Sequence, residues 1–250
     1  VGVTAGSGAA SLVVTGVAAV AAWQIGFWVV AALAGGYALG FVALYDGAGG
    51  SGEFSLPDVA GLRANRTYVL LVASGLFVGA SIFSMLGYTV LYVQDGVGAS
   101  AAAGGIVLAV TQVTGSVGRI GAGELADRLG DPSGAATVAL GQMLLAAGFF
   151  VALAAGDWSL PVAVLLFVGL GLSIHGSTGV FYSCLSALVD DDDIGGATAG
   201  GQTAINAGGL VAPPLFGLLV ETSGYGLGWG LLAGTTLLAS VLLAGVRLRM

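Results

Sequence analysis

The chain has 250 residues, of which 57% are hydrophobic and 8% charged, and its formal net charge is −7 at pH 7. A mean hydropathy of +1.01 and a charged fraction far below the ~25% of soluble domains exclude an ordinary soluble protein. All six basic residues are arginines, and this acidic balance argues against nucleic acid as a partner. The one cysteine, Cys184, excludes a disulfide framework.

Eight stretches of the chain are free of Asp, Glu, Lys and Arg and approach or exceed the ~20 residues that a helix needs to cross a bilayer. They are residues 1–22, 25–45, 67–94, 100–118, 134–156, 159–189, 194–220 and 226–246. Their apolar residues are continuous rather than alternating, which favours helices over a membrane β-barrel. We therefore predict an all-α polytopic membrane protein with eight transmembrane helices embedded in a lipid bilayer.

The six arginines predict the orientation. With eight crossings, all of them fall on one side of the membrane, and the positive-inside rule makes that side cytoplasmic. Tryptophans near the opposite ends of the spans indicate an outer aromatic belt; they are Trp23, Trp28, Trp158 and Trp229. We expect a multi-pass protein of the cytoplasmic (plasma) membrane, with both termini of this chain on the cytoplasmic side.

Residues 115–134, with the sequence GSVGRIGAGELADRLGDPSG, form a polar wedge between the fourth and fifth predicted spans. Because such a segment is too polar for hydrocarbon, we expect it to be a loop. Its part GELADRLG, residues 123–130, resembles the G-x-L-x-D-R-x-G signature of the major facilitator superfamily. The family usually continues with a basic pair, whereas Asp131 and Pro132 follow here.

This resemblance implies a major facilitator bundle that lacks the first four helices. Residues 1–45 would be the last two helices of the N-terminal half, 46–66 the cytoplasmic central loop, and 67–250 the six-helix C-terminal half. The long, glycine-rich composition of 46–66 independently predicts a linker. The implied activity is transport by alternating access, in which one half rocks against the other.

The wedge carries the candidate cytoplasmic gate motif, whose members are Arg119, Gly123, Asp127, Arg128 and Gly130. We hypothesise that Asp127 and Arg128 latch the cytoplasmic side, because a carboxylate favours the positive N-terminal end of a neighbouring helix. By the pseudo-symmetry of the family, that end would be the start of the first span, near residues 1–6. The alternative is that the pair only fixes a tight turn.

His175 is the one side chain deep in a predicted span that titrates near neutral pH, and such groups are functional candidates because burying them in lipid is costly. The alternative is that a neutral His175 only packs against a neighbouring helix. Counting residues at ~1.5 Å each from the cytoplasmic side predicts that Asn206 and Ser81 share its level. Further substrate-path candidates at neighbouring depths are Ser84, Tyr88, Gln112 and Gln202.

The remaining motifs predict structure rather than chemistry. The run Asp190–Asp193 leads into the seventh span, where Asp193 is a candidate N-cap for Ile194. The pair Pro213–Pro214 predicts bending of that span. We predict no metal site, no cofactor and no catalytic residue, and a chain without lysine excludes a P-loop of the G-x-x-x-x-G-K-[ST] type.

The function predicted from these observations is secondary active or facilitated transport of a small organic solute, with an anion and a metabolite as the two kinds considered. A coupling proton or ion is a candidate second partner. Two alternatives stay open: a membrane-embedded enzyme that uses His175, and a non-transporting receptor or assembly subunit on the same helical scaffold.

Overall fold

The fold is that of a computed structural model, which describes residues 2–45, 58–130 and 133–250. These residues form helices and short connections without a strand, which confirms the all-α polytopic membrane fold. The helices are α1 (Gly2–Val20), α2 (Trp23–Leu44), α3 (Val59–Ala64), α4 (Arg66–Leu91), α5 (Ala101–Leu129), α6 (Gly134–Ala155), α7 (Leu160–Leu170), α8 (Ser177–Ser186), α9 (Ile194–Ser223) and α10 (Tyr225–Arg247). A π-helical turn, Tyr92–Gly96, extends α4, and a second one, Gly171–His175, joins α7 to α8.

Seven helical segments in the described part of the chain are long and apolar enough to cross a membrane. They are Trp23–Leu44, Arg66–Gly96, Ala101–Leu129, Gly134–Ala155, Leu160–Ser186, Asp191–Ser223 and Tyr225–Arg247. They coincide with seven of the eight predicted spans. Helix α1, with 19 residues, occupies the stretch of the remaining predicted span.

The prediction that residues 115–134 form a loop was wrong for most of that segment. Helix α5 continues to Leu129 and ends at Gly130, whose φ of 63° is the left-handed conformation that glycine adopts at helix C-termini. Arg128 and Glu124 face each other one helical turn apart, with Nε and Oε1 2.8 Å apart. This spacing supports the last turns of an exposed helix. Charge alone therefore did not end the helix.

The helices α4, α9, α10 and α6 pack side by side, α5 packs on the Gly171–His175 turn, α1 packs on α5, and α2 packs on α1. The backbones of α4 and α9 touch. A Cβ on Gly79 would overlap the carbonyl oxygen of Ile205, and a Cβ on Gly208 would overlap that of Leu76. Small residues allow this close approach, as is usual between membrane helices.

One end of the bundle gathers the start of α4 and the ends of α8 and α10. The side-chain amide of Asn65 donates to the carbonyl of Leu188 at 3.0 Å, and a Cβ on Gly245 would lie 3.3 Å from Cδ1 of Leu70. We call this the arginine end, because the exposed arginines at helix ends lie there: Arg63, Arg66, Arg128, Arg247 and Arg249. The prediction that Trp229 belongs to an aromatic belt at the opposite end was wrong. Its side chain is fully buried among Phe150, Phe167 and Phe216.

Three further predictions concern the central loop, Asp193 and the proline pair of α9. Residues 46–57 of the predicted central loop, as well as Asp131 and Pro132, lie outside the described residues, while the rest of the loop contains α3. Asp193 occupies the N-cap position of α9 but makes no capping bond there. Its carboxylate instead accepts from the backbone N–H of Asp58 at 3.3 Å. Helix α9 runs through Pro213–Pro214 without an interruption.

Candidate functional site

A cavity of about 330 Å³ lies between α4, α5, α8 and α9, next to the Gly171–His175 turn. One wall is apolar and contains Ile82, Phe83, Leu86 and Ile205. The other wall is polar and contains Gln112, Arg119, His175, Thr178, Tyr182 and Gln202, with Gly179 between them. The volume suits a small solute, and the two walls suit one with an apolar body and a polar end.

Helical spacing brings the polar wall together. His175, Thr178 and Tyr182 follow one another at intervals of three and four residues, so they line one face of α8 and the turn before it. Gln112 and Arg119 are seven residues apart, which is two turns of α5 on one face. Two neighbouring helices thus present their polar faces to the same space.

The π-helical turn Gly171–His175 frees carbonyl groups from the regular helical pattern, and such turns are frequent at functional sites. The carbonyl of Leu172 is taken up by Gln142 of α6, whose side-chain nitrogen donates to it at 3.0 Å. The carbonyl of His175 accepts from the hydroxyl of Thr178 at 3.1 Å. It also accepts from Nη2 of Arg119 at 3.3 Å, so α5 and α6 together hold the turn from two sides.

Helix α5 approaches this turn closely because glycines face it. A Cβ on Gly115 would lie 2.5 Å from the Cβ of His175, and a Cβ on Gly118 would overlap the carbonyl of Leu172. Real Cβ atoms do not come this close to other heavy atoms, so larger residues at these positions would push the turn away. The position of His175 in the cavity wall therefore depends on these glycines.

Arg119 is a cation without a carboxylate partner in the described part of the chain. There the one ion pair joins Arg128 to Glu124. Arg119 is half-buried ten residues before the end of α5, and its Nε has no hydrogen-bond partner among the described residues. A charge in a membrane-spanning segment is costly unless a water-filled cavity or a counter-charge compensates it. The cavity consequently carries a fixed positive charge.

His175 is 3% exposed and lines the same cavity. Its Nε2 is buried and makes no hydrogen bond to the described residues. Buried polar groups are normally hydrogen-bonded, and this ring nitrogen is an exception among the described residues.

A chain of hydrogen bonds joins α8 to α9 beside the cavity. The hydroxyl of Tyr182 donates to Oε1 of Gln202, and Nε2 of Gln202 donates to Oδ1 of Asn206 at 2.9 Å. Gln202 lines the cavity. Asn206, which was predicted to share the level of His175, does not line the cavity but is hydrogen-bonded to Gln202.

The other predicted path residues lie between helices rather than in the cavity wall. The hydroxyl of Ser81 bonds to the carbonyl of Phe77 at 3.2 Å and to the hydroxyl of Thr235 on α10 at 3.4 Å. Ser84 is fully buried on α4, and its hydroxyl has no partner in the described residues. Tyr88 packs on Phe216 of α9 with ring centroids 4.6 Å apart.

The members of the gate motif are separated along α5. Arg119 lies at the cavity, two turns away from Asp127 and Arg128, which are exposed at the arginine end. Arg128 pairs with Glu124 of its own helix, and Gly130 caps that helix. Gly123 is half-buried one turn before Asp127.

Arg119 and Tyr182 are cavity residues that the sequence analysis did not place there. Because residues 115–134 were predicted to form a loop, Arg119 was expected at the membrane surface. Two sequence signals were available: Gly130 is the first strong C-cap in this stretch, and Tyr182 is seven residues after His175 on the same helical face. No group of three metal-ligating side chains occurs within the described residues.

Membrane-spanning helices around a cavity of solute size, with a half-buried cation in its wall, define a multi-pass membrane transport protein. The family model described as Major Facilitator Superfamily matches residues 1–191. The chain therefore belongs to the major facilitator superfamily and is a transporter of that kind, moving a small solute within a lipid bilayer. A search of curated proteins found no match to this chain.

Proposed function

We propose that this transporter is a secondary carrier, active or facilitating, for a small organic anion, and that it works by alternating access at the cavity around Arg119. The observation that carries the proposal is the charge of Arg119, which faces a cavity without a carboxylate in its described wall. An arginine offers several N–H donors in a planar fork and binds carboxylate, sulfonate or phosphate oxygens in a bidentate manner. An anionic solute would supply the missing counter-charge.

The apolar wall adds a second feature of the solute. Ile82, Phe83 and Leu86 of α4 also line the cavity and offer contact to a hydrocarbon or aromatic body. We therefore expect an anion with an apolar part rather than a small inorganic ion. Benzenesulfonate is a suitable probe, because it stays ionised at all working pH values, and benzenesulfonamide is a neutral probe of nearly the same shape.

The first prediction tests the arginine. In the purified protein, wild type should bind benzenesulfonate and discriminate against benzenesulfonamide, whereas Arg119→Gln should lose at least tenfold in affinity for the anion only. A charged hydrogen bond contributes about 1.5–3 kcal/mol, which corresponds to this factor or more. Arg119→Lys keeps the charge but not the planar guanidinium, so its affinity for benzenesulfonate should lie between those of wild type and Arg119→Gln. Isothermal titration calorimetry in nanodiscs measures all of these affinities.

Arg247→Gln is the matched control, because Arg247 is exposed at the end of α10, away from the cavity. Its affinity should equal that of wild type. Equal binding of the charged and neutral probes by wild type, or full anion affinity in Arg119→Gln, would contradict the proposal. Counterflow of radiolabelled benzenesulfonate in proteoliposomes then separates a carrier from a receptor that binds without translocation.

A membrane-embedded enzyme is less well supported than a carrier. An imidazole that acts as a general base is usually oriented by a carboxylate or helped by a metal. The described cavity wall contains neither a carboxylate next to His175 nor a cluster of metal ligands.

We further propose that the arginine end faces the cytoplasm. We also propose that Asp127 belongs to a cytoplasmic gate, which opens and closes as α1 and α2 rock against the other helices. The support is the group of exposed arginines at that end and the exposed carboxylate of Asp127, next to an Arg128 that is already paired with Glu124.

The gate predicts a shift in the balance between the two access states. Asp127→Asn should change the rate at which a membrane-impermeant maleimide labels a cysteine placed at Phe83 in the cavity, on a Cys184→Ala background. Asp192→Asn, an exposed neutralisation at the same end, should leave that rate unchanged. Equal labelling rates in Asp127→Asn and wild type would show that the motif only shapes the turn.

A further inference from the structure

We infer that the end of the bundle opposite the arginine end holds a second binding site, which takes a small organic ammonium ion. The inference goes beyond the proposed function, because it concerns another cavity and a ligand of the opposite charge. This cavity has a volume of about 350 Å³ and lies where α6 ends and α10 begins. We call it the tyrosine cavity, and its wall consists of Tyr92, Gly96, residues 153–157 and residues 224–226.

Tyr92 is a buried tyrosine whose hydroxyl group is unused. It is 4% exposed, and its ring packs on Phe167 and Trp229, with ring centroids 6.0 and 5.2 Å apart. Its hydroxyl makes no hydrogen bond to the described residues, although it is not sealed away from solvent. A buried tyrosine hydroxyl usually has a partner. Because Tyr92 lines the tyrosine cavity, a ligand in that cavity can be the partner.

The wall also contains the end of α6, which lacks a cap. Gly156 follows this helix in an extended conformation, with a φ of −167°. The indole nitrogen of Trp158 donates to the carbonyl of Ala152 at 2.8 Å, but the carbonyls of residues 153–155 have no donor in the described part of the chain. The last carbonyls of a helix carry partial negative charge, so they attract a cation.

The carboxylate of Asp157 gives the tyrosine cavity a negative charge. Asp157 lines the wall without an arginine partner, because the one ion pair among the described residues joins Arg128 to Glu124. A second carboxylate, Asp95, accepts from the hydroxyl of Tyr225 at 3.4 Å. Helix α10 begins at Tyr225, so Asp95 lies near the positive start of that helix. Asp157 is left without a positive partner.

These groups suit an organic ammonium better than a metal ion. The described residues contain no group of three His, Cys, Asp or Glu side chains that could hold a metal ion. A primary ammonium has three N–H donors, and the wall offers it the carboxylate of Asp157, the hydroxyl of Tyr92 and the free carbonyls of α6. The rings of Tyr92 and Tyr225, with centroids 5.2 Å apart, add aromatic surface, which also attracts ammonium ions.

An alkylammonium group can reach this end of the bundle from two sources. One is an amine in solution, and the other is the headgroup of phosphatidylethanolamine at the membrane surface. The tyrosine cavity would recognise the ammonium group that the two have in common, so a competition experiment is needed to separate them.

Benzylammonium is a suitable probe, because it is a primary ammonium at neutral pH, and benzyl alcohol is a neutral probe of nearly the same shape. In dodecyl maltoside micelles, which carry no charge, calorimetry should show that wild type binds benzylammonium and discriminates against benzyl alcohol. Asp157→Asn should lose about tenfold or more in affinity for benzylammonium, as expected for one charged hydrogen bond. Glu221→Gln, which neutralises an exposed carboxylate of α9 outside the wall, should bind like wild type.

Tyr92→Phe tests the hydroxyl alone. The variant should keep the melting temperature of wild type, because the hydroxyl has no partner in the described residues, but should bind benzylammonium about threefold more weakly or worse. A hydroxyl with a purely structural role would lower the melting temperature and leave the affinity unchanged. Neither Tyr92→Phe nor Asp157→Asn should change the affinity for benzenesulfonate, so failure of this inference leaves the proposed function intact.

Short-chain phosphatidylethanolamine and short-chain phosphatidylglycerol then serve as competitors. Displacement of benzylammonium by the first lipid only would assign the site to a lipid headgroup, and displacement by neither would assign it to a soluble amine. Absence of benzylammonium binding, equal binding of benzyl alcohol, or wild-type affinity in Asp157→Asn would overturn the inference. Displacement by an equal concentration of Ca²⁺ would identify a metal site and overturn the assigned class of ligand.

Discussion

The two arginines of α5 show how position decides the role of a residue. Arg128 is exposed and paired with Glu124 of the same helix, an interaction of about 0.5 kcal/mol or less on a helix surface. Arg119 lies more than two turns deeper, half-buried and without an acid in the described part of the chain. A half-buried cation without a counter-charge in a membrane-spanning helix costs stability. Its presence is understandable if a charged ligand compensates it during the transport cycle.

The close contact between Gly115 and His175 predicts that a side chain at position 115 disturbs the site. Gly115→Ala places a methyl group 2.5 Å from the Cβ of His175, so the histidine and its turn must move. Overpacking of this kind costs about 1–3 kcal/mol. We expect a lower apparent melting temperature in detergent and at least a threefold weaker affinity for benzenesulfonate.

Gly121→Ala is the matched control on the same helix, because nothing lies within 4 Å of the added Cβ. Alanine is a better helix former than glycine by about 1 kcal/mol, so this variant should be as stable as wild type or more stable. Similar losses in both variants would mean that the contact with His175 is not the cause.

The sequence predicted which residues of the site are polar and deep, but not which of them meet. Depth along a helix comes from counting residues, whereas the direction of a side chain depends on the packing of several helices. His175 and Gln202 therefore lie at the cavity, while Ser81, at a similar counted depth, bonds to Thr235 between α4 and α10. Short hydroxyl side chains often bond between or within membrane helices, and their presence is a weak indication of a binding site.

Among the elements, the π-helical turn Gly171–His175 is the one that creates the site. It replaces part of a regular span and leaves the carbonyls of Leu172 and His175 to side chains of other helices. No sequence pattern predicted it, because a π-helical turn depends on partners that compensate its freed carbonyls. Gln142 and Arg119 are such partners, and they come from α6 and α5.

Gln142 should therefore be a positioning residue. Gln142→Leu leaves the carbonyl of Leu172 buried without its donor, which costs about 0.6–2 kcal/mol between membrane helices. We expect a lower melting temperature and weaker binding of benzenesulfonate, with no new affinity for benzenesulfonamide. Calorimetry and a thermal-shift assay measure the two effects.

Thr137→Val is the control for this change. The hydroxyl of Thr137 bonds to the carbonyl of Ser133 within the start of the same helix, at 3.0 Å. Its replacement removes a polar group without touching the π-helical turn, so anion affinity should remain that of wild type. If the two variants bind equally well, Gln142 does not position the site.

The end of α5 explains why a polar segment was misread as a loop. Composition favoured a position outside hydrocarbon for residues 115–134, but a helix can carry polar residues along a cavity and continue beyond the bilayer. Glu124 and Arg128, four residues apart, support such an extension, and Gly130 ends it. A helix need not end where the membrane span ends. Here Gly130, the cap residue, marks the end of the helix.

For the molecule as a whole, composition and span length were sufficient to predict the helical membrane fold, because every backbone group in lipid must be satisfied internally. The described part of the predicted loop 46–66 contains a short helix, α3 (Val59–Ala64), which its glycine-rich composition did not predict. The burial of Trp229 could not be read from its position in the sequence, since a belt residue and a core residue near a helix end have the same neighbours along the chain.

The orientation is testable on the whole molecule. In cells that carry the Cys184→Ala background, Asp157→Cys and Arg249→Cys place exposed thiols at opposite ends of the bundle. A membrane-impermeant maleimide should label Asp157→Cys in intact cells and Arg249→Cys only after permeabilisation. The reverse pattern would place the arginine end outside and contradict the proposed orientation.

The contact between α4 and α9 has a mechanical consequence. Because Gly79 and Gly208 bring the two backbones together, neither helix has a layer of side chains along which it can slide past the other. We expect α4 and α9 to move as one rigid unit, together with their cavity residues Phe83 and Gln202. The volume of the cavity would then change mainly at α5, where Arg119 donates one hydrogen bond to the carbonyl of His175 that the proposed anion would replace.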